Sequence, residues 1–120
     1  RGMVLETGID IIEIRRIEEA ISRHGARFLD RVYTQGEIRQ CRGKAESLAA
    51  RFAAKEAAFK ALGERVGWRE VEIQRERSGK PRVLLHGRAA EVADRLGLRS
   101  WSVSLSHSRE DAVAMVVAGK

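Results

Sequence analysis

The chain has 120 residues, a length that suits one compact folding unit and leaves little room for a second. With 43% apolar and 33% charged residues it is not a disordered chain, and no apolar run approaches the roughly 18 residues of a membrane span. The net charge of +6 favours an anionic partner but does not choose among nucleic acid, phosphorylated small molecule, acidic protein and membrane surface.

Cys41 is the one cysteine, so no intramolecular disulfide can form, and with no signal-peptide pattern a cytoplasmic location is expected. Arg1-Gly2 ahead of Met3 reads as an expression remnant, and one domain over 3–120 is expected. Three Phe, two Trp and one Tyr are few, so the core must be mainly aliphatic and alanine.

In chain order, the β-branched run 3–14 predicts a strand. Ile14, Ile17 and Ile21 then keep helical spacing up to Gly25, a natural stop. A short helical piece, 27–32, leads to Thr34, which forms a capping box with Glu37. Residues 46–62, rich in alanine, make the strongest predicted helix, and their small side chains allow another backbone to approach closely. Strands over 71–75 and 82–86 flank the turn 77–81, and a helix follows over 88–96. Two strands, 101–107 and 112–118, close the chain. Interleaved strands and helices of this kind predict an α+β fold in which helices pack on a mainly antiparallel sheet.

Four features carry chemistry. Asp10 lies in an isoleucine-rich strand, where a carboxylate needs a cation, a donor cluster or an exposed strand end. Phe52, Glu56 and Lys60 form one helical stripe, which reads either as a solvated Glu–Lys pair or as a carboxylate and an ammonium set for a phosphate site. His107 continues the apolar face of Trp101, Val103 and Leu105. Alternation turns Ser106 the other way, which excludes a nucleophile–base pair between these two residues. The turn Gly79-Lys80-Pro81 says little by itself. No Walker loop is present, and three histidines with one cysteine argue against a zinc site.

Taken together, Gly8-Ile9-Asp10-Ile11, the segment Arg51-Phe52-Ala53-Ala54-Lys55-Glu56-Ala57 running on to Lys60 and Gly63, Gly79-Lys80-Pro81 and Ser104-Leu105-Ser106-His107-Ser108 resemble the phosphopantetheinyl transferase superfamily. Length and the early Asp match its short branch, the holo-acyl-carrier-protein synthases, over about 3–118. The resemblance implies transfer of 4′-phosphopantetheine from coenzyme A to a serine of an acyl carrier protein, with release of 3′,5′-ADP. It implies magnesium (Mg2+) on Asp10 and Glu56, Lys60 near the reacting phosphates and His107 on a coenzyme A phosphate. Arg51, Gly79, Lys80 and Pro81 would help hold the nucleotide, and Arg16, Arg23, Arg27 and Phe28 would grip the acidic carrier protein. A homotrimer with sites between subunits is also implied. The serine proton would go to Glu56, Lys60 or a metal-bound water.

Two rival readings are set against this one. A small basic nucleic-acid-binding module lacks the aromatic platform that single strands require, so neither nucleic acid nor membrane is expected as a partner. A catalytically silent oligomeric scaffold is opposed by the presence of Asp10, Glu56 and Lys60.

Overall fold

The computed structural model describes residues 3–120, and the expected remnant, Arg1 and Gly2, lies outside them. The first strand, β1 (Leu5–Glu13), turns Gly8, Asp10 and Ile12 inward and leaves Ile9 and Ile11 outside. It passes directly into helix α1 (Ile14–His24), tied at its start by the Ile14 amide donating to Glu110 O over 2.8 Å. Ile14 and Ile17 are buried, and Gly25, at φ +54°, ends the helix in a conformation that side chains disfavour. Two short helices follow, α2 (Ala26–Val32) and α3 (Gln35–Cys41). The expected capping box forms at the start of α3: Thr34 Oγ1 accepts from the Glu37 amide and Glu37 Oε1 from the Thr34 amide.

Helix α4 (Ala45–Leu62) is the central element, buried on several sides as its alanines predict, and Gly63 closes it at φ +79°. A single 3-10 turn, Trp68–Glu70, which sequence periodicity does not reveal, leads into the hairpin of β2 (Val71–Arg75) and β3 (Pro81–Leu85). Helix α5 (Gly87–Leu96) and strands β4 (Ser100–His107) and β5 (Asp111–Gly119) complete the fold.

The strands form two antiparallel ladders rather than one, a sheet ordered β1-β5-β4 and the separate β2-β3 hairpin. β3 runs close to β4 without joining it. The inner face of the three-stranded sheet packs on α4, whose remaining sides meet α1, α3, β2 and α5. Among the described residues the outer face has no such cover: Ile9 is 60% exposed, Ile11 64% and Met115 46%.

β1 and α4 meet backbone to backbone. A Cβ added at Gly8 would fall on the carbonyl oxygen of Ala57 and 2.7 Å from its carbonyl carbon. Gly8 is needed for this approach and not for its dihedral angles. Gly8→Ala should therefore lift β1 from α4 and cost on the order of 3 kcal/mol in chemical denaturation. An unchanged unfolding midpoint would show that the contact is not tight.

Candidate active site

The β1–α4 contact sets the positions of Asp10 and of Lys60, one helical turn beyond Glu56. Lys60 Nζ donates to Ile9 O over 2.7 Å and lies 3.4 Å from Asp10 Oδ1. The intrahelical Glu56–Lys60 pair does not form, because Lys60 reaches across to the strand instead. Glu56 is met by Arg65, from the segment after α4, at 3.3 Å. Asp10 and Glu56 are alike in exposure, their side chains 23% and 22% accessible, and each is met by a single cation. Most of their oxygen lone pairs are left free.

Such a donor set fits magnesium. That ion takes hard oxygen ligands, commonly one or two carboxylates, and fills the rest of its octahedron with phosphate oxygens and water. Among the described residues no cluster of three or more His, Cys, Asp or Glu side chains is placed to hold a metal, so these two carboxylates would be the whole protein contribution.

His107 ends β4 on the same sheet face as Asp10. In the ladder Asp10 stands opposite Ala114 and Leu105, and His107 stands opposite Ala112, one inward-facing row further along. Two strand spacings and one such step separate the two residues by about 12 Å. His107 is exposed rather than packed into the core edge. Its Nδ1 lies 3.2 Å from Ser108 O, the tautomer with the proton on Nδ1 leaving Nε2 free. It lines a cleft of about 620 Å³ with Glu13, Arg15, Ser108, Arg109 and Asp111. Ser106 points to the opposite face, as alternation requires.

Arg51 is turned inward and is only 3% exposed. Its guanidinium donates to Glu37 O (3.1 Å), Cys41 Sγ (2.8 Å) and Gln40 Oε1 (2.8 Å). In this arrangement its guanidinium is engaged by protein groups on α3. Gln40 Oε1 also accepts from the Arg75 amide, and Arg75 Nη1 donates to Gly79 O over 2.7 Å, so Arg51 and the hairpin tip are joined by a hydrogen-bond chain. The tip itself, Gly79-Lys80-Pro81, is largely solvent-exposed. Among the described residues no hydrogen bond or ion pair links it to Asp10, Glu56 or Lys60. Cys41 has a structural part, and burial pushes its thiol pKa up.

Sequence reading missed the lysine beside Glu56. Lys55 is fully buried and gives all three protons away: to Glu37 Oε1 at 2.8 Å, to Trp68 O at 3.0 Å and to Val71 O. Burial pushes its pKa down, and the carboxylate of Glu37 opposes that. Glu37 is satisfied in turn by the Ile73 amide at 2.8 Å. The signal was present in the capping box, which announces Glu37 as a carboxylate fixed in place. Glu72, held by Thr34, Gln74 and His86, was missed as well. Burial raises its pKa, but these hydrogen bonds outweigh that and hold it below the ordinary carboxylate value.

Along α1 and α2, Arg16, Arg23 and Arg27 are exposed. Phe28 is half-buried, its ring edge-on to Tyr33 at 6.0 Å. A groove of about 430 Å³ is lined by His24, Arg27, Phe28 and Arg31. Among the described residues none of these arginines has a carboxylate within ion-pair distance, so their charge is free for an external anion.

The family model for the 4′-phosphopantetheinyl transferase superfamily matches residues 6–116, which include both carboxylates, Lys60 and His107. The chain belongs to that superfamily. It is 52% identical to the holo-[acyl-carrier-protein] synthase of Herpetosiphon aurantiacus, over 95% of this chain and 98% of the relative. It is 51% identical to that of Koribacter versatilis, over 96% and 98%. Among solved structures it is similar to the Helicobacter pylori holo-[acyl-carrier-protein] synthase in complex with coenzyme A, with TM-score 0.85, 34% identity and 93% and 98% of the two chains covered. The Bacillus anthracis holo-(acyl-carrier-protein) synthase, in complex with CoA (3′,5′-ADP), gives TM-score 0.80 and 33% identity, with 99% of each chain covered. Within the superfamily, this enzyme stands among the holo-[acyl-carrier-protein] synthases.

Proposed function

We propose that the chain moves 4′-phosphopantetheine from coenzyme A to a serine hydroxyl of an acyl carrier protein and releases 3′,5′-ADP, with magnesium held by Asp10 and Glu56. The observation that carries this is the pair of half-buried carboxylates beside the β1–α4 contact, each answered by a single cation. The coenzyme A and 3′,5′-ADP held by the two solved relatives support the choice of donor.

In the reaction a bond forms between the serine oxygen and the β-phosphorus, and the bond from that phosphorus to the oxygen of the departing nucleotide breaks. Magnesium bound at this site would neutralise charge on the pyrophosphate oxygens as that happens. The Lys60 ammonium is pinned by Ile9 O, so it presents a fixed positive charge that needs no reorganisation. His107, about 12 Å from Asp10 across the sheet, suits a phosphate remote from the reacting centre better than the reacting phosphorus itself. The serine must also lose its proton. Lys60, already donating to two oxygens, is no base in this state, which leaves Glu56 or water.

The reading includes a homotrimer with shared sites. Ile9, Ile11 and Met115 form an apolar outer face that none of the described residues covers, and a second copy is the partner that would bury it. A neighbouring copy would also supply the hairpin turn Gly79–Pro81, which a single chain does not link to the carboxylates. The free arginines of α1 and α2 would steer an acidic carrier protein onto the groove at Phe28.

Four outcomes are expected. Mass spectrometry of apo carrier protein with coenzyme A and magnesium should show the added prosthetic arm. Asp10→Asn and Glu56→Gln should each cut the rate at least about a hundredfold with the melting curve preserved, and a rate near wild type in either would remove the metal assignment. Arg27→Glu should raise KM for carrier protein roughly tenfold and leave KM for coenzyme A unchanged; equal rises in both would count against a docking role. Sedimentation should give a trimer that Ile11→Lys dissociates, whereas a fully active wild-type monomer would end the shared-site reading.

A further inference from the structure

Arg65 has no place in the reading above, yet it is the cation that meets Glu56. Its guanidinium lies 5.3 Å from the ring centres of both Phe59 and Trp68 while Nη2 is 3.3 Å from Glu56 Oε2. Trp68 is itself set by Phe52, stacked on it at 4.7 Å, and by Phe59, edge-on at 5.3 Å. Below this, the backbone carbonyl of Trp68 accepts from buried Lys55 over 3.0 Å. The aromatic platform under Arg65 is thus tied to the buried ion pair and does not drift. A guanidinium over such rings gains from the negative ring faces and still has several N–H groups to offer, since Glu56 engages one nitrogen only. The side chain remains 61% exposed, so the contact is loose enough to be exchanged.

We propose that Arg65 is a positioning residue with two alternating partners: it occupies the Glu56 carboxylate until a divalent cation takes it, and then turns the same guanidinium to the anionic group that accompanies the cation. This rests on the reading of Glu56 as a metal carboxylate and deepens it. The physical reasoning is competition. One carboxylate oxygen cannot serve a guanidinium and a divalent ion fully at once, and the ion, with twice the charge in a smaller volume, displaces the guanidinium. Released but still held over Trp68 and Phe59, Arg65 stays within a side-chain length of the phosphates that enter with the metal.

Two ligands should therefore respond with opposite signs to removal of Arg65. In Arg65→Ala, Mn2+ alone should bind the free enzyme roughly three- to fivefold more tightly, since its competitor is gone. 3′,5′-ADP in the presence of Mn2+ should bind roughly fivefold more weakly. Calorimetry reads both affinities without turnover. Fluorescence of Trp68, isolated in a Trp101→Phe background, should change as Mn2+ is added to the Arg65 protein and stay flat in Arg65→Ala. Glu56→Gln separates this inference from the reading beneath it. Mn2+ binding that needs Glu56 but is identical with and without Arg65 overturns the alternation alone, as do shifts of the same sign for both ligands. Mn2+ binding that is absent, or indifferent to Glu56→Gln, overturns the metal reading and the alternation together.

Discussion

At Gly8 the backbone of β1 lies against the carbonyl of Ala57, with no room for a side chain between strand and helix. Two consequences follow from that contact. Asp10, two residues along on the same strand face, is brought beside α4, and Lys60 is close enough to cap the carbonyl of Ile9. A carboxylate that would otherwise stand unmatched in an isoleucine-rich strand acquires a cation at its side.

The other side of α4 is fixed by a different force. Lys55 and Glu37 are both inaccessible to water, and every proton of the ammonium is matched by an oxygen. A pair of this kind returns little net stability after desolvation, but its directional demands permit one arrangement only. Successive residues of a helix point about 100° apart. With Lys55 locked into the buried pair and Ala57 pressed on Gly8, Glu56 is left facing the opening between them. The rotational phase of α4 is thus set by its two neighbours, which explains why Glu56, the proposed metal carboxylate, sits between a buried lysine and an alanine.

Local signals in the sequence were enough for much of this. The β-branched first strand, the alanine-rich helix, the capping box at Thr34 and the hairpin around Gly79 all lie where pattern and turn chemistry put them. Asp10 and Glu56 stand out as candidates because each breaks the pattern of its own element. What was not legible depended on tertiary partners. A lysine at position 55 looks like any helix lysine until Glu37 arrives from 18 residues away to bury it. Arg51 matches a family position, but no periodicity says that its guanidinium turns inward to Cys41 and Gln40. Alternation marks strands without saying which pair, so the division into two ladders had no signature either. Nor had the stacking of Arg65 on Trp68, which requires the irregular segment after α4 to fold back over the helix.

On the proposed reading, the charges of the site explain why metal and nucleotide should arrive together. Asp10 and Lys60, Glu56 and Arg65 are four unit charges that sum to zero. A divalent cation entering alone leaves an excess of two positive charges at a half-buried location, where interactions between charges are stronger than in bulk water. A pyrophosphate diester entering alone leaves two negative charges in excess. Entering together, they would restore neutrality, with Lys60 still pinned by Ile9 O and Arg65 turned from carboxylate to phosphate. On the proposed reading the site is therefore held neutral in the free state by its own lysine and arginine, and neutral again in the loaded state by the ligand pair. Binding of metal and binding of nucleotide then reinforce each other by electrostatics alone, with no conformational change of the fold required.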